Sequence, residues 1–351
     1  MRFLPDPGLR ETDSQIILDA KDKVLLREFS RDARQSIAQL ARNSKLSRDT
    51  VVYRLSQYKE KKLLFDARML VDVSALGYDS YHIFLRLTNP QKQTQANSDF
   101  IKKLCAHANV RAVLRFYGRF DLEIAVVSKS IQEFDVILLE LLAIVQPYLQ
   151  EYEVVAITQN IVARSFPSSF ISQKLQVSPM KVKPRQPADL DKTDFAIIRE
   201  MRDYADRPLV VVAQKVGIST DVLVYRLRKL ETSVVLGYAP VINYGAIGYN
   251  ITAVLCAVSA MTSQKQNMIS ELLRESSHIL WAVKVFGRYN LLFYICAKTQ
   301  QEYHETINKL RDVLGDELRG IESLSAVAEY KYTLVPDCLV SDENNKKTKK
   351  I

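Results

Sequence analysis

Between positions 20 and 60, apolar residues recur at helical spacing. Val24, Leu25, Leu26 and Phe29 mark one helix, Ile37, Leu40 and Ala41 a second, and Val51, Val52 and Leu55 a third. Ser36, with Gln39 three residues on, suits the start of the second helix as a capping box, and Ser47 suits the start of the third. In both cases a serine oxygen would accept from a first-turn amide that has no partner inside the helix. Only residues 43–46 separate the last two helices, so the pattern predicts a trihelical unit with the tight turn of a helix-turn-helix. Beyond about residue 66 the period changes. "YHIFLRL" (81–87) alternates as a strand, residues 97–108 are helical, and "VRAVLRFY" and "LEIAVV" flank a turn at 118–121. Ser130 and Glu133 cap the next helix, and a strand containing "EVVAITQNIV" closes the set. This βαββαβ order is ferredoxin-like, one sheet with both helices on a single face. The bare face, with Ile83, Leu85, Ile124 and Val126 on one side of the sheet or the other, needs a cover, and a second such sheet would provide it.

The whole pattern is written twice. At an offset of 172, Ala33 meets Ala205, Ala41 meets Ala213, Ser47 meets Ser219 and Asp49 meets Asp221, while Val52-Tyr53-Arg54-Leu55 meets Val224-Tyr225-Arg226-Leu227. Leu76-Gly77-Tyr78 then matches Ile247-Gly248-Tyr249 at an offset of 171, and "FYGRFDLEIAV" (116–126) matches "VFGRYNLLFYI" (285–295) at 169. So small a drift identifies a duplication. The second copy departs locally: Pro208 stands at the place of Ser36, and "LVVV" (209–212) taken alone reads as a strand, so its helix rests on the alignment. Gly217 supplies the positive-φ residue the turn favours, where the first copy has Lys45. Residues 164–189 hold four prolines, five basic residues and one acid, the composition of an extended linker, and 341–351 reads as a polar, disordered tail whose lysines add weak attraction to phosphate.

The expected fold class is therefore α+β, with two winged-helix-like helix-turn-helix domains (18–66 and 190–238) alternating with two ferredoxin-like domains (67–163 and 239–340). A chain of 351 residues has room for these separate cores. With 49 Lys and Arg against 40 Asp and Glu, the charge of +9 favours a polyanionic partner. Cys105, Cys256, Cys296 and Cys338 form no CxxC pair, and the four histidines no HxxxH pattern, so neither a metal site nor a disulfide framework is expected. The first residues lack the apolar core of a signal peptide, and "FDVILLELLAIVQPYL" is broken by Glu140 and Pro147. The expectation is a soluble, cytoplasmic protein with no membrane partner, no cofactor and no catalytic residues.

"LDAKDKVLLREFSRDARQSIAQLARNSKLSRDTVVYRLSQYKEKKLL" resembles the amino-terminal helix-turn-helix of the Lrp/AsnC family of prokaryotic transcription regulators, and "LDKTDFAIIREMRDYADRPLVVVAQKVGISTDVLVYRLRKLETSVVLGY" resembles it again. The Leu-Asp start, the Ala-x-x-x-(Gly/Lys)-(Leu/Ile)-Ser turn and the Val-x-Tyr-Arg-Leu helix carry the likeness, and each copy looks like a full subunit. Members usually hold one copy and dimerise through their ferredoxin-like domains, sheet on sheet. The resemblance thus implies an intrachain pseudo-dimer, with higher homo-oligomers open to it, whose partner is double-stranded DNA.

On that reading, Arg48 and Thr50 face base edges, with Tyr53 and Arg54 further along the helix, and Arg34, Ser36, Ser47 and Lys59 position phosphates. Capping alone for the serines, and a salt bridge or core packing for Arg54 and Tyr53, are the competing roles. The second copy offers Ser219, Thr220, Tyr225, Arg226, Arg228 and Lys229. Residues 18–65 carry 12 basic and 6 acidic residues, whereas 190–237 carry 8 and 7, so the first module is expected to bind more strongly and to an imperfect palindrome.

The family's effector signature, a glycine followed by an acid, an aromatic and Asp, corresponds to Gly118-Arg119-Phe120-Asp121 and Gly287-Arg288-Tyr289-Asn290. Arginine replaces the first acid in both copies, and Asn290 the second acid in one. A site for an amino acid or other small-molecule effector competes here with a purely structural turn. Siroheme decarboxylases also join a helix-turn-helix to a ferredoxin-like domain, which makes a tetrapyrrole enzyme one alternative. An architectural DNA-compacting protein is another.

Overall fold

The computed structural model describes residues 15–95, 98–170, 188–259 and 262–341. The first half runs α1 (Ala20–Arg31), α2 (Ile37–Ser44), α3 (Arg48–Glu60), β1 (Leu64–Val71), β2 (Asp79–Leu87), a one-turn α4 (Pro90–Gln93), α5 (Asp99–Ala106), β3 (Val110–Tyr117), β4 (Leu122–Ser128), α6 (Ile131–Val145) and β5 (Leu149–Ala163). The second runs α7 (Lys192–Met201), α8 (Leu209–Val216), α9 (Thr220–Ser233), β6 (Val235–Ile242), β7 (Asn250–Val258), α10 (Ser263–Glu275), β8 (Ile279–Phe286), β9 (Leu291–Ala297), α11 (Gln300–Leu314), β10 (Leu318–Tyr332) and a short α12 (Asp337–Val340).

Local chemistry sets the helix ends. The Leu-Asp start of each half is a capping box: Asp19 accepts from the Asp22 amide at 2.7 Å and Asp22 from the Asp19 amide at 2.9 Å, and Asp191 and Asp194 repeat the exchange. Ser36 caps α2 through the Gln39 amide at 3.2 Å. The turn before each third helix needs a left-handed residue, and both copies comply, Lys45 at φ 56° and Gly217 at φ 77°. The "LVVV" stretch is helical despite its β-branched residues, because Val212 and Ala213 are buried in the trihelical core.

Eight strands close into one barrel in the order β10-β3-β4-β2-β5-β8-β9-β7. Two stacked sheets were expected, and their junction is a physical extension of them. At 15 residues each, β5 and β10 span about 50 Å, enough to pair with both halves. Ile83 lies opposite Val154 of β5, which further along sets Asn160 opposite Val283 of β8; β10 likewise pairs Glu322 with Leu255 of β7 and Glu329 with Leu114 of β3. Ile83, Leu85, Ile124 and Val126 face outward into a core with Phe134, Ile137 and Leu141 of α6, and the alternate residues turn into the barrel.

Sequence periodicity did not reveal β1 and β6, which form an antiparallel ribbon between the halves with Met69 opposite Tyr238. Each trihelical unit bonds to the ribbon strand of the other half: the Ala33 amide donates to the Tyr238 carbonyl at 3.0 Å, and the Ala205 amide to the Ala67 carbonyl at 2.7 Å. The expected linker begins in ordered structure, where Phe166 and Phe170 are buried and stacked 4.4 Å apart. Residues 171–187 and the tail from 342 lie outside the described residues. Among the described residues no helix is long and apolar enough to cross a membrane, and no group of His, Cys, Asp and Glu could hold a metal ion.

Candidate nucleic-acid interface

Ser47 caps α3 by accepting from the Thr50 amide at 3.2 Å, and its hydroxyl lies 2.8 Å from that of Thr50. Val51 and Tyr58 point inward, leaving Arg48, Asp49, Val52 and Tyr53 exposed at the start of the helix and Thr50 half-buried beside them. In a helix-turn-helix this is the end of the recognition helix that meets base edges. Ser36 is exposed at the amino terminus of α2, where unpaired amides favour an anion.

Arg54 is engaged by the two carboxylates at the start of α1. Its Nη2 lies 2.9 Å from Asp19 Oδ2 and its Nη1 3.1 Å from Asp19 Oδ1, and Nη1 also pairs with Asp22, which accepts from the buried Tyr58 hydroxyl. The Asp22 amide and the Arg54 guanidinium hold the Asp19 carboxyl below its usual range, while burial followed by the Asp22 contact pushes the Tyr58 hydroxyl up. Arg226 repeats the arrangement, 2.8 and 2.7 Å from the Asp191 oxygens and 2.9 Å from Asp194. Burial works against the Asp191 carboxylate, but the Asp194 amide and Arg226 outweigh it and lower its pKa. These arginines belong to the frame of the unit because each Leu-Asp start lays two carboxylates beside the third helix, a juxtaposition made across 35 residues of chain.

Arg34 and Lys59, expected at phosphates, engage the other half. The Arg34 guanidinium sits 4.9 Å from the Tyr238 ring centre and 4.0 Å from Met201 Sδ, and Lys59 Nζ lies 3.3 Å from Asp206 Oδ2. Both line a cleft of about 510 Å³ between the two trihelical units, whose floor includes Phe29, Ile37, Leu55 and Leu209.

In the second unit Ser219 caps α9 through the Val222 amide at 3.3 Å, Thr220 is half-buried, and Tyr225, Arg228 and Lys229 are exposed. Its outer surface is more apolar. Val210, Val211 and Val222 are all solvent-exposed, at positions where the first copy has Ala38, Gln39 and Thr50. These valines were visible in the sequence, but only the helix register shows that they point outward.

The structure brings the glycines of both Gly-x-x-x turns, and Arg119, to the seams between halves. A Cβ on Gly118 (φ 153°) would meet Leu324 Cδ2 at 2.7 Å and the Ser323 carbonyl at 2.9 Å, while one on Gly287 (φ 145°) would meet the Val154 carbonyl at 2.8 Å. Each turn therefore packs against the closing strand of the other half. Arg119 bridges Glu151 (2.6 Å) and Glu322 (3.1 Å), one from each half. Asp121 accepts from the Leu87 amide at 2.8 Å and Asn290 from the Val258 amide at 2.6 Å, so the substitution of Asn for Asp keeps the acceptor. Burial pushes the Asp121 carboxyl up. Phe120 is fully buried, and Arg288 lies 5.8 Å from the ring centre of Tyr289, whose buried hydroxyl has no hydrogen-bond partner among the described residues.

Residues 18–59 match the AsnC-type helix-turn-helix domain. The leucine-responsive regulatory protein of Rhizobium meliloti is 30% identical over 144 residues, which cover 40% of this chain and 86% of that protein. The HTH-type transcriptional regulator FL11 of Pyrococcus furiosus is 27% identical over 135 residues, 38% of this chain and 84% of that one. One such relative thus corresponds to about one half of the chain. The siroheme decarboxylase NirDL, solved with an iron-uroporphyrin III analogue, corresponds to the whole: it covers 94% of this chain and 97% of its own with a TM-score of 0.59, at 15% identity, a likeness of fold alone.

Proposed function

This chain belongs to the Lrp/AsnC family, and from that premise we propose that it is a sequence-specific, DNA-binding transcription regulator whose two halves act as a pseudo-dimer within one chain, working in the cytoplasm. The observation that carries the reading is the exposed amino-terminal face of α3, where Arg48 and Tyr53 are solvent-exposed beside the capped Ser47–Thr50 turn. Arg48 pairs with a base edge, Thr50 and Tyr53 extend the contact, and the amino termini at Ser36 and Ser47 hold phosphate oxygens. The second module, with Thr220, Tyr225, Arg228 and Lys229 on or near its surface, adds a weaker and less specific contact. An amino acid or another small effector acts, on this reading, at the seam turns around Arg119 and Tyr289, where a bound group reaches both halves. Fluorescence anisotropy with sites selected from random duplexes, set against competitor DNA at fixed salt, tests the proposal. Equal affinity for both would favour an architectural protein.

The likeness to NirDL along the whole chain favours one second reading, a tetrapyrrole decarboxylase. The described histidines are dispersed, with His107 on Glu140 (3.0 Å), His278 on Ser169 (3.2 Å) and His82 buried on Glu123. Titration with an iron uroporphyrin followed by visible absorption decides between the two: stoichiometric binding with loss of carboxylate groups would replace the regulator reading.

A further inference from the structure

Inside the barrel four side chains, two from each half, form one cluster, three of them buried and Trp281 partly so. Glu123, fully buried on β4, pairs through one oxygen with His82 Nδ1 and through the other accepts from the Tyr294 hydroxyl on β9. The His82 ring stacks on Trp281 of β8, with centroids 5.5 Å apart and planes at 21°, and Trp281 lies 5.4 Å from Tyr294. His82 and Glu123 come from the first half, Trp281 and Tyr294 from the second.

The duplication supplies an internal control. On the offsets of 171 and 169, His82 corresponds to Ala253, Glu123 to Leu292, Trp281 to Ala112 and Tyr294 to Ala125. The ladders confirm the match, since His82 lies opposite Ala125 in one half and Ala253 opposite Tyr294 in the other. The first half thus brings two polar groups and two alanines to the shared interior, and the second brings two large aromatics and two apolar residues.

We infer that this quartet makes the two halves an obligate unlike pair, a built-in choice of the second half as the only stable partner for the first. In a pair of first halves each Glu123 would keep its own His82 but face Ala125 across a void, with no Tyr294 hydroxyl to donate to its second oxygen. In a pair of second halves Tyr294 would face Leu292 and Trp281 would face Ala253, leaving the tyrosine hydroxyls without their acceptor. Only the unlike pair fills the space and satisfies the polar atoms, and discrimination of this kind needs a penalty on the wrong pair as well as a gain in the right one. Every assembled unit then carries one module of each kind, α3 with α9. The inference stands on the pairing geometry and holds whether or not the modules read DNA.

The test places a protease site within residues 171–187 of the full chain and cuts it after folding. Isotopically heavy and light nicked proteins are mixed, unfolded, refolded and weighed by native mass spectrometry. The expected result is that every pair contains one first and one second half, with heavy and light halves mixed at random. Like-half pairs at the share given by random pairing would overturn the inference. A second measurement on the intact chain covers failure of the nicked protein to refold. Moving the polar pair alone (His82→Ala, Glu123→Leu, Ala253→His, Leu292→Glu) should raise the unfolding constant about a hundredfold or more. Moving the aromatic pair as well (Ala112→Trp, Ala125→Tyr, Trp281→Ala, Tyr294→Ala) rebuilds the quartet in mirror image and should recover most of the loss. If the first variant does not fold, folding of the second is the rescue. No recovery in the second variant overturns the inference.

Discussion

Arg54 on α3 lies 2.9 Å from the Asp19 carboxylate that caps α1, so the helix proposed to meet DNA is braced on the first helix by one of its own cations. Arg54→Ala removes that brace and leaves Asp22, 8% exposed, short of a charged partner. The expected loss is about 2 kcal/mol of stability, with DNA affinity falling alike for all sequences. Thermal melting together with anisotropy on two unrelated duplexes checks this; a change of sequence preference without a change of melting would place Arg54 at a base edge after all.

The same pairs set an acid limit. Asp19 and Asp191 are held below the ordinary value of 3.8, so the stability they contribute is present above that value and is lost as pH falls through their folded-state values. Denaturant midpoints measured downward from pH 5 should fall less steeply in Asp19→Asn than in the unaltered chain. Parallel curves for the two proteins would reject the linkage.

Arg48 stands exposed at the start of α3, with no acid placed to neutralise it among the ion pairs of the described residues. Arg48→Ala is expected to weaken binding to the preferred site by about tenfold and to narrow its margin over competitor DNA. Thr220→Ala, at the matching position of the second copy, should cost less. A loss from Thr220→Ala equal to or greater than that from Arg48→Ala would reverse the ranking of the two modules.

Gly118 and Gly287 each lie directly against the closing strand of the other half. With φ of 153° and a backbone carbonyl 2.9 Å from the place of a Cβ, Gly118→Ala should destabilise the chain by about 1–3 kcal/mol. Gly287→Ala, 2.8 Å from the Val154 carbonyl, should behave the same way in urea unfolding. A variant as stable as the parent would show that the seam yields.

Tyr289 hides a hydroxyl that bonds to nothing in the described structure. Tyr289→Phe is expected to leave stability unchanged or raise it by about 1 kcal/mol, because an unsatisfied polar group is removed at constant shape. Calorimetry reads the effect, and a clear loss of stability would mean that the hydroxyl has a partner in solution.

Much of this protein is legible along the chain because its rules act over three or four residues. Ser47, Asp19, Ser130 and Thr299 start helices by accepting from amides three positions on, and Lys45 and Gly217 end the second helix of each unit in the same left-handed conformation. The duplication showed in the same way, by matching residues to residues. What the chain could not declare was which distant groups those elements would bring together. Arg54 meets Asp19 across 35 residues, Lys59 meets Asp206 across 147 and Glu123 meets Tyr294 across 171, and in each case neither sequence neighbourhood contains its partner. The ribbon of β1 with β6 and the closure of two expected sheets into one barrel belong to the same class. Alternation shows that a strand has two faces, but only packing against the second half decides which face is buried and which buried charge finds its partner.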